Sequence, residues 1–564
     1  MDSPRSSEVR IGHSLNEDES QHVAKRRATV LQCLQHHNIS CSVDEVPNIA
    51  VLGSGGGERA MIGLLGSLSQ LSEEKLLDCI MYLSGVSGST WCMASAYQEP
   101  DWSKQMETVK QNIIQKLTSD QVNYHKTCCK LRKMCEKDNF SITDIWAVLI
   151  VSSVVKEIDE QVLTEQRGQH TKNPYPIYTV IDKKSKYDTL CKDSWFEITP
   201  HECGYSLTGA FVDSKCLGSR FEKGAKTEEQ PELDMLYIQG LCGSALADGE
   251  EIKKTIFKGL LKLSTGLKNL VLKANISASN DDELVMHTLL ELNLHFFNGE
   301  DLKNDITKMN ELLKEKHDKE GNEVKLQEPI TDEILSNYTL KVCDCLPHWF
   351  PKTVESKTNT SLPNPNDQVF CGIVIAKCMR KVWQWDWGTH YNFLYKMTVD
   401  EVHPSILESK TRQYEDTGLL LNSPYFSVLR KERNVDLIIS LDFSDGDPFE
   451  TVDKAAQMCK DLQIPFPTVE LPENEEEPKD FYVFKNNPNA PVVIHMPLFN
   501  TVNCKGEVKM WKDIYHTFQL SYNDKMINDL LEKAGLNITN TKEKLLKEIE
   551  KVIKRKKHWT TKPN

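Results

Sequence analysis

Two similar stretches decide the fold of this chain: Asn48-Ile-Ala-Val-Leu-Gly-Ser-Gly-Gly-Gly-Glu-Arg59 and Leu77-Asp-Cys-Ile-Met-Tyr-Leu-Ser-Gly-Val-Ser-Gly-Ser-Thr-Trp91. Each begins with a short apolar run, which is typical of a buried strand, and passes through a glycine-rich turn into a segment with helical character. Alternation of this kind implies right-handed crossovers between parallel strands. The sequence therefore predicts an α/β fold with a mostly parallel central sheet flanked by helices.

Other segments extend the same alternation. Apolar spacing predicts a helix before the first stretch, over Glu17 to His37, and another near the end of the sheet region, over Pro448 to Leu462. Short apolar runs predict further strands at 177–181, 195–198, 435–441 and 492–495.

The composition is that of a globular protein that does not bind nucleic acid. With 564 residues, 39% hydrophobic and 27% charged, the chain can form one large α/β domain with insertions or two to four average domains. Its net charge of −14 argues against general binding to nucleic acid. A local basic patch could still meet an anionic membrane.

Targeting signals and cysteine usage indicate a cytoplasmic protein. Residues Met1 to Ser20 lack the apolar core of a signal peptide, and the longest apolar stretch, Ile145 to Val155, is far shorter than the roughly 20 residues of a spanning helix. Seventeen scattered cysteines are typical of reduced thiols in the cytosol. Because groups such as Cys343-Asp-Cys345 lack a partner group at metal-binding spacing, no metal and no cofactor are expected.

The second stretch suggests a nucleophilic serine. Ser87 stands between Gly85 and Gly88, as expected on a sharp strand-to-helix turn, and the N–H group of Gly88 could stabilise an oxyanion. A complete Gly-x-Ser-x-Gly motif is missing, because Ser89 occupies the last position. The turn would equally suit a phosphate cradle or an ordinary tight turn.

The first stretch and a distant aspartate complete the candidate site. Gly56 and Gly57 could add oxyanion donors, whereas a Walker-type phosphate loop would need Gly-Lys-Ser/Thr where this chain has Gly-Glu-Arg. No histidine sits in a recognisable catalytic motif. Asp416, followed by Thr-Gly, is a candidate base, but an ordinary turn or capping aspartate has the same appearance.

Taken together, the motifs resemble the cytosolic phospholipase A2 family, whose catalytic domain is related to patatin, and are most similar to its gamma subtype. The resemblance covers about residues 45–270 and 370–520. The matching motifs, beyond the two opening stretches, are Trp195-Phe-Glu-Ile-Thr-Pro200, Gly218-Ser-Arg-Phe221, Trp385-Asp-Trp-Gly-Thr-His390, Asp416-Thr-Gly418, Asn422-Ser-Pro-Tyr425, Leu437-Ile-Ile-Ser-Leu-Asp-Phe-Ser444 and Pro465-Phe-Pro467.

The resemblance implies a Ser–Asp dyad without histidine. Ser87 would be the nucleophile, Asp416 the base, and Gly56 and Gly57 the oxyanion hole. An aspartate can activate a serine when burial raises its pKa or when the proton path is short. An acyl-serine intermediate would then be hydrolysed by water.

The family pattern also assigns the substrate phosphate to Arg59 and Arg433. This chain departs from the pattern at Glu58, where the family usually has an apolar residue. Its charge beside Arg59 could weaken phosphate binding, or its side chain could point to solvent, which we expect. It ends Trp559-Thr-Thr-Lys-Pro-Asn564, without the prenylation box typical of the gamma subtype.

The predicted domain organisation has three parts. A helical extension spans 1–44, a catalytic domain spans 45–535 with an insertion at about 274–367, and a basic amphipathic tail spans 536–564. The insertion is either a lid or a solvated elaboration. Only about 45 residues precede the first motif, too few for a calcium-binding β-sandwich, so calcium independence is expected.

The tail gives two alternatives for the segment from Lys542 to Trp559. Its apolar face, with a basic and aromatic end, would suit a lipid interface, or it could dock on the protein core. The function predicted is that of a calcium-independent phospholipase A2 or lysophospholipase acting on phospholipids and lysophospholipids, peripherally bound to membranes. The alternatives are a lysophospholipid transacylase and an inactive lipid-binding protein on the same fold.

Overall fold

The computed structural model describes residues 8–119, 123–185, 192–244, 249–273, 281–349, 365–471, 477–517, 519 and 521–560. The strands are β1 Arg10–Ile11, β2 Ile49–Gly53, β3 Tyr82–Gly85, β4 Tyr175–Asp182, β5 Trp195–Ile198, β6 Glu202–Tyr205, β7 Ala210–Asp213, β8 Arg220–Glu222, β9 Ala225–Glu228, β10 Thr389–Tyr391, β11 Thr411–Asp416, β12 Leu437–Asp442, β13 Tyr482–Phe484 and β14 Val492–Pro497.

The helices are α1 Glu17–His36, α2 Gly57–Glu73, α3 Gly88–Ala96, α4 Met106–Leu117, α5 Tyr124–Met134, α6 Ile142–Trp146, α7 Ser152–Val155, α8 Met235–Cys242, α9 Gly249–Lys273, α10 Asp281–Asn298, α11 Lys303–Leu312, α12 Asp332–Trp349, α13 Pro365–Gln384, α14 Pro404–Leu407, α15 Tyr425–Val428, α16 Glu450–Asp461, α17 Val508–Ile514 and α18 Asp524–Thr560.

A large mixed sheet carries the fold. Its strand order is β1-β7-β6-β5-β4-β3-β2-β12-β14-β13, with β11 pairing β4 and β10 pairing β11. The five central strands, β4-β3-β2-β12-β14, run parallel, and antiparallel strands extend the sheet on both sides. The α/β fold predicted from the sequence is confirmed.

The central strands are apolar along their whole length because both faces of the sheet are covered. Every residue of β2 and β12 is buried, as expected for parallel strands between helical layers. One predicted strand starts later than its apolar run, since Leu77–Cys79 forms a short 3₁₀ turn before β3. The guanidinium of Arg26 donates to the carbonyl oxygens of Ile80 at 2.6 Å and Leu77 at 3.3 Å, so these groups are not available for strand pairing.

The chain divides into two compact units, and their boundaries differ from those of the three predicted parts. The first comprises residues 1–119, 159–245 and 390–564 and holds the large sheet. The second comprises residues 120–158 and 246–389 and is helical. The predicted insertion at 274–367 lies inside the second unit, and parts of it, 274–280 and 350–364, are outside the described residues. A lid function for it remains a prediction.

Both chain ends belong to the first unit. In α18, the apolar residues Leu545, Ile549, Val552 and Ile553 are at most 2% exposed, and the helix packs along α2. The apolar face of this segment is therefore buried on the protein, which favours the docked alternative; contact of its basic end with lipid remains a prediction. Across the described residues, none of the helices combines the length and hydropathy needed to cross a membrane.

Candidate active site

Ser87 occupies a strained turn between β3 and α3. Its backbone has φ = +53° and ψ = −124°. Residues other than glycine rarely adopt this conformation, and those that do are concentrated at functional sites. The residue is 7% exposed, and its N–H donates to the carbonyl oxygen of Cys242 at 3.1 Å. The strand-to-helix turn predicted from the sequence is confirmed in its backbone geometry.

The two glycine-rich turns are in direct contact. A Cβ built on Gly88 would lie 1.8 Å from the carbonyl oxygen of Gly57, so only glycine fits at this position. The hydroxyl of Ser89 donates to the carbonyl oxygen of Ser54 at 2.7 Å and joins the turns a second time. Ser89, which broke the expected motif, thus has a structural role.

Two helix N-termini converge beside Ser87. Helix α2 begins at Gly57 and α3 begins at Gly88, and Gly56 and Gly57 have positive φ values of 151° and 59°. N–H groups in a first helical turn have no intrahelical acceptor. Within the described part of the chain, no acceptor is found for the N–H groups of Gly56, Gly57 or Gly88. Together with the helix dipoles, these donors can stabilise negative charge that develops next to Ser87.

Asp416 reaches the same place from another strand. It ends β11, is fully buried, and accepts hydrogen bonds from the N–H of Gly418 and the N–H of Ser244, each at 2.8 Å. The short segment from Cys242 to Ser244 therefore binds Ser87 at one end and Asp416 at the other. Residues more than 300 positions apart in the sequence are brought together by this segment.

Asn422 is a further site residue, to which the sequence assigned no role. Its side-chain amide donates to the carbonyl oxygen of Gly55 at 3.2 Å and to the hydroxyl of Ser444 at 2.9 Å, while its backbone carbonyl oxygen accepts from the N–H of Gly55 at 3.2 Å. Ser444 donates in turn to Asp442 at 2.7 Å. Asn422 thus fixes the first glycine turn from behind. The sequence could have indicated this role, because Asn422 lies six residues after Asp416 in the same family motif.

Arg59 lies behind this turn. Its guanidinium donates to the carbonyl oxygen of Phe443 at 2.8 Å and to that of Tyr515, and pairs with Asp445 at 3.5 Å. It approaches to 2.9 Å from a Cβ built on Gly56. The neighbouring Glu58 is 4% exposed, so the expectation that its side chain points to solvent is wrong; the close packing at the start of α2 encloses it.

Arg433 is not brought to this site. Its guanidinium is fully buried and pairs with Glu19 at 2.9 Å and with Glu197 at 2.8 Å. It lies 5.8 Å from the ring of Tyr82, the first residue of β3, whereas Ser87 comes two residues after the last residue of that strand. The predicted phosphate-binding role is therefore corrected: Arg433 belongs to a buried ion-pair network near the start of β3, at the other end of that strand from Ser87.

Burial controls the charges around the first turn. It raises the pKa of Asp442 and lowers the pKa of Arg59, although Asp445 partly offsets the second effect. Among the described residues, no group of three or more His, Cys, Asp or Glu side chains is placed to hold a metal ion.

Known proteins show the same organisation. A family model described as lysophospholipase catalytic domain matches residues 49–259. The chain is 36% identical to cytosolic phospholipase A2 gamma of Mus musculus over 95% of this chain and 91% of that protein. Identity to the Homo sapiens protein of the same name is 35%, over 97% of each.

A solved structure shares the fold. Human GIVD cytosolic phospholipase A2 matches with a TM-score of 0.66 at 21% identity, over 98% of this chain and 69% of that chain. The chain belongs to the cytosolic phospholipase A2 family and is a phospholipase of the carboxylic ester hydrolase class.

Proposed function

We propose that this protein hydrolyses acyl esters of glycerophospholipids and lysophospholipids through an acyl-enzyme intermediate on Ser87, with Asp416 as the base. The observation that carries the proposal is the segment from Cys242 to Ser244, which is hydrogen-bonded to the backbone of Ser87 and to the carboxylate of Asp416. A serine on a strained turn and a buried carboxylate, both bound by the same three-residue segment, support the assignment of nucleophile and base.

In the first half of the reaction, the Ser87 hydroxyl attacks the ester carbonyl carbon as Asp416 accepts its proton. The carbonyl oxygen becomes an oxyanion, and the N–H groups of Gly56, Gly57 and Gly88 are the proposed donors to it. Collapse of the intermediate breaks the ester bond, and the proton passes from Asp416 to the departing alcohol. Water then attacks acyl-Ser87 by the same route in reverse and releases the fatty acid.

Arg59 supports this chemistry through the turn. Its buried guanidinium, held by backbone carbonyl oxygens, lies directly behind Gly56. We propose that it fixes the donors and adds positive potential near the oxyanion and the substrate phosphate. Its position favours this long-range effect over direct contact with the phosphate.

The proposed steps take their base and their oxyanion donors from the chain itself, so we propose that turnover is independent of calcium. Because the substrates are membrane lipids, we also propose that the protein acts in the cytosol with peripheral attachment to membranes. A related structure is of human GIVD cytosolic phospholipase A2 in complex with methyl gamma-linolenyl fluorophosphonate. Probes of this class, which phosphonylate active serines with loss of fluoride, should therefore react with Ser87.

The test is acyl release from mixed phospholipid and lysophospholipid vesicles in calcium chelator. Wild type should turn over at the same rate with and without added calcium, whereas Ser87→Ala and Asp416→Asn should lose activity by about 1000-fold or more. Asp400→Asn, an exposed carboxylate, is the matched control. Persistent activity in Ser87→Ala would refute the mechanism. Phospholipid formed from lysophospholipid would instead identify a transacylase.

A further inference from the structure

Large apolar side chains are exposed close to the active site. Among the described residues, eight large hydrophobic side chains are strongly exposed. Three of these belong to segments with contacts to the site: Leu419 (40% exposed), Met510 (44%) and Ile514 (41%). We call these three residues the apolar rim. Scattered single apolar residues are normal on a protein surface, but clustering at one functional site indicates a binding surface.

One part of the rim follows the proposed base. Leu419 lies three residues after Asp416, at the end of a short 3₁₀ turn. The N–H of Gly418 within that turn donates to the Asp416 carboxylate. The buried base and the exposed leucine are therefore fixed to one another by a single turn of chain.

The other part of the rim adjoins the oxyanion turn. Met510 and Ile514 lie one helical turn apart in α17, so their side chains share one face. The chain continues to Thr517, whose carbonyl oxygen lies 3.4 Å from a Cβ built on Gly57 and whose hydroxyl accepts from Arg59 at 3.2 Å. The exposed face of α17 is thus connected directly to the proposed oxyanion donors.

We propose that the apolar rim is the surface by which this protein docks on a phospholipid bilayer, so that lipid enters the site without crossing water. The inference rests on the proposed function, because it assumes a bilayer substrate. Side chains that carry apolar atoms at an exposed rim gain free energy by entering the region of the lipid acyl chains.

The charges near α17 indicate which force drives docking. The exposed Lys505 and Lys509 are balanced by the exposed Glu507 and Asp513 in the same segment, and the partly buried Lys512 donates to the carbonyl oxygen of Gly446 at 2.7 Å. A balanced surface gives little attraction to anionic lipid. Docking should therefore depend on the apolar side chains, persist at high salt and occur on uncharged phosphatidylcholine.

The experiment compares vesicle binding with turnover of a soluble ester. The double variant Met510→Asp with Ile514→Asp should lower co-sedimentation with phosphatidylcholine vesicles about tenfold or more, and vesicle turnover with it. Turnover of a short-chain soluble ester should stay within about twofold of wild type, because the chemistry is untouched. Val43→Asp is the matched control; Val43 is 51% exposed but lies near Asn48, at the opposite end of β2 from the site.

Each outcome decides the inference. Unchanged vesicle binding in the double variant, or an equal loss in Val43→Asp, would overturn it. Equal loss on the soluble ester would show damage to the site rather than to docking, and the conservative variant Met510→Leu, which should retain binding, separates misfolding from loss of contact. Failure of the proposed function is distinguishable, since wild type would then hydrolyse neither substrate.

Discussion

At the scale of single residues, the candidate site depends on glycine positions where no side chain fits. A Cβ built on Gly55 would lie 2.4 Å from the side-chain oxygen of Asn422 and 3.0 Å from the Cβ of Ser87. The first glycine turn therefore packs between the side chain of Asn422 and that of Ser87, with no room for a side chain at Gly55. The backbone of Ser87 is strained, and such strain persists only when surrounding contacts fix it.

Asn422→Ala tests the support of this turn. Removing the amide deletes its hydrogen bonds to the hydroxyl of Ser444 and to the carbonyl oxygen of Gly55, which keeps only the longer bond of 3.4 Å from the Ser54 hydroxyl, so the oxyanion donors are held less firmly. We expect kcat on a soluble ester to fall about 10- to 100-fold, since loss of one direct donor costs about 100- to 1000-fold. KM should change little. The exposed Asn528→Ala is the control, and a change in stability without a fall in kcat would contradict the role.

At the scale of elements, Arg433 ties the N-terminal helix to the sheet. It pairs with Glu19 in α1 and with Glu197 in β5, and these two carboxylates are 414 and 236 residues away in the sequence. Attraction to both raises the pKa of Arg433 against the effect of burial, and Arg433 with Arg430 lowers the pKa of Glu197 to about 2 although burial opposes this.

Arg433→Gln should therefore destabilise the protein rather than weaken substrate binding. Removing one partner of a buried ion pair costs about 3–5 kcal/mol because the remaining charges stay buried. The free energy of unfolding in urea measures this loss, with the exposed Lys431→Gln as the control. The folded fraction should keep its KM. A raised KM at unchanged stability would instead support a role of Arg433 in binding the substrate phosphate.

The same elements show what the sequence can and cannot predict. The apolar runs at Ile49–Gly53 and Leu437–Asp442 identify buried strands without further information. Pairing between distant residues leaves no such pattern, so the partners of Arg433 and the link from Ser87 to Asp416 through Cys242 appear only in three dimensions. The apolar face of α18 was ambiguous because amphipathic spacing is the same for a helix on protein and on lipid.

At the scale of the whole molecule, buried histidines make the fold sensitive to acid. Burial, assisted by Arg26, lowers the pKa of His22 to about 4, and burial lowers that of His170 to about 4. Between pH 6.5 and 4 the unfolded chain binds these protons and the folded chain does not. The free energy of unfolding should therefore fall as pH falls through this range, by at most about 1.4 kcal/mol per pH unit for each histidine.

Urea unfolding at several pH values measures this slope. His170→Gln should make the dependence shallower between pH 6.5 and 4, while the exposed His36→Gln should leave it unchanged. A slope that is the same in wild type and His170→Gln would contradict the assignment.

The central claim is that Ser87 is the nucleophile and Asp416 its base. The most direct measurement is the mass of the intact protein, followed by peptide mapping, after reaction with a fluorophosphonate probe. We predict one adduct per chain, located on Ser87, absent in Ser87→Ala, and formed at least about 100-fold more slowly in folded Asp416→Asn. An adduct on another serine, or an unchanged rate in Asp416→Asn, would contradict the claim.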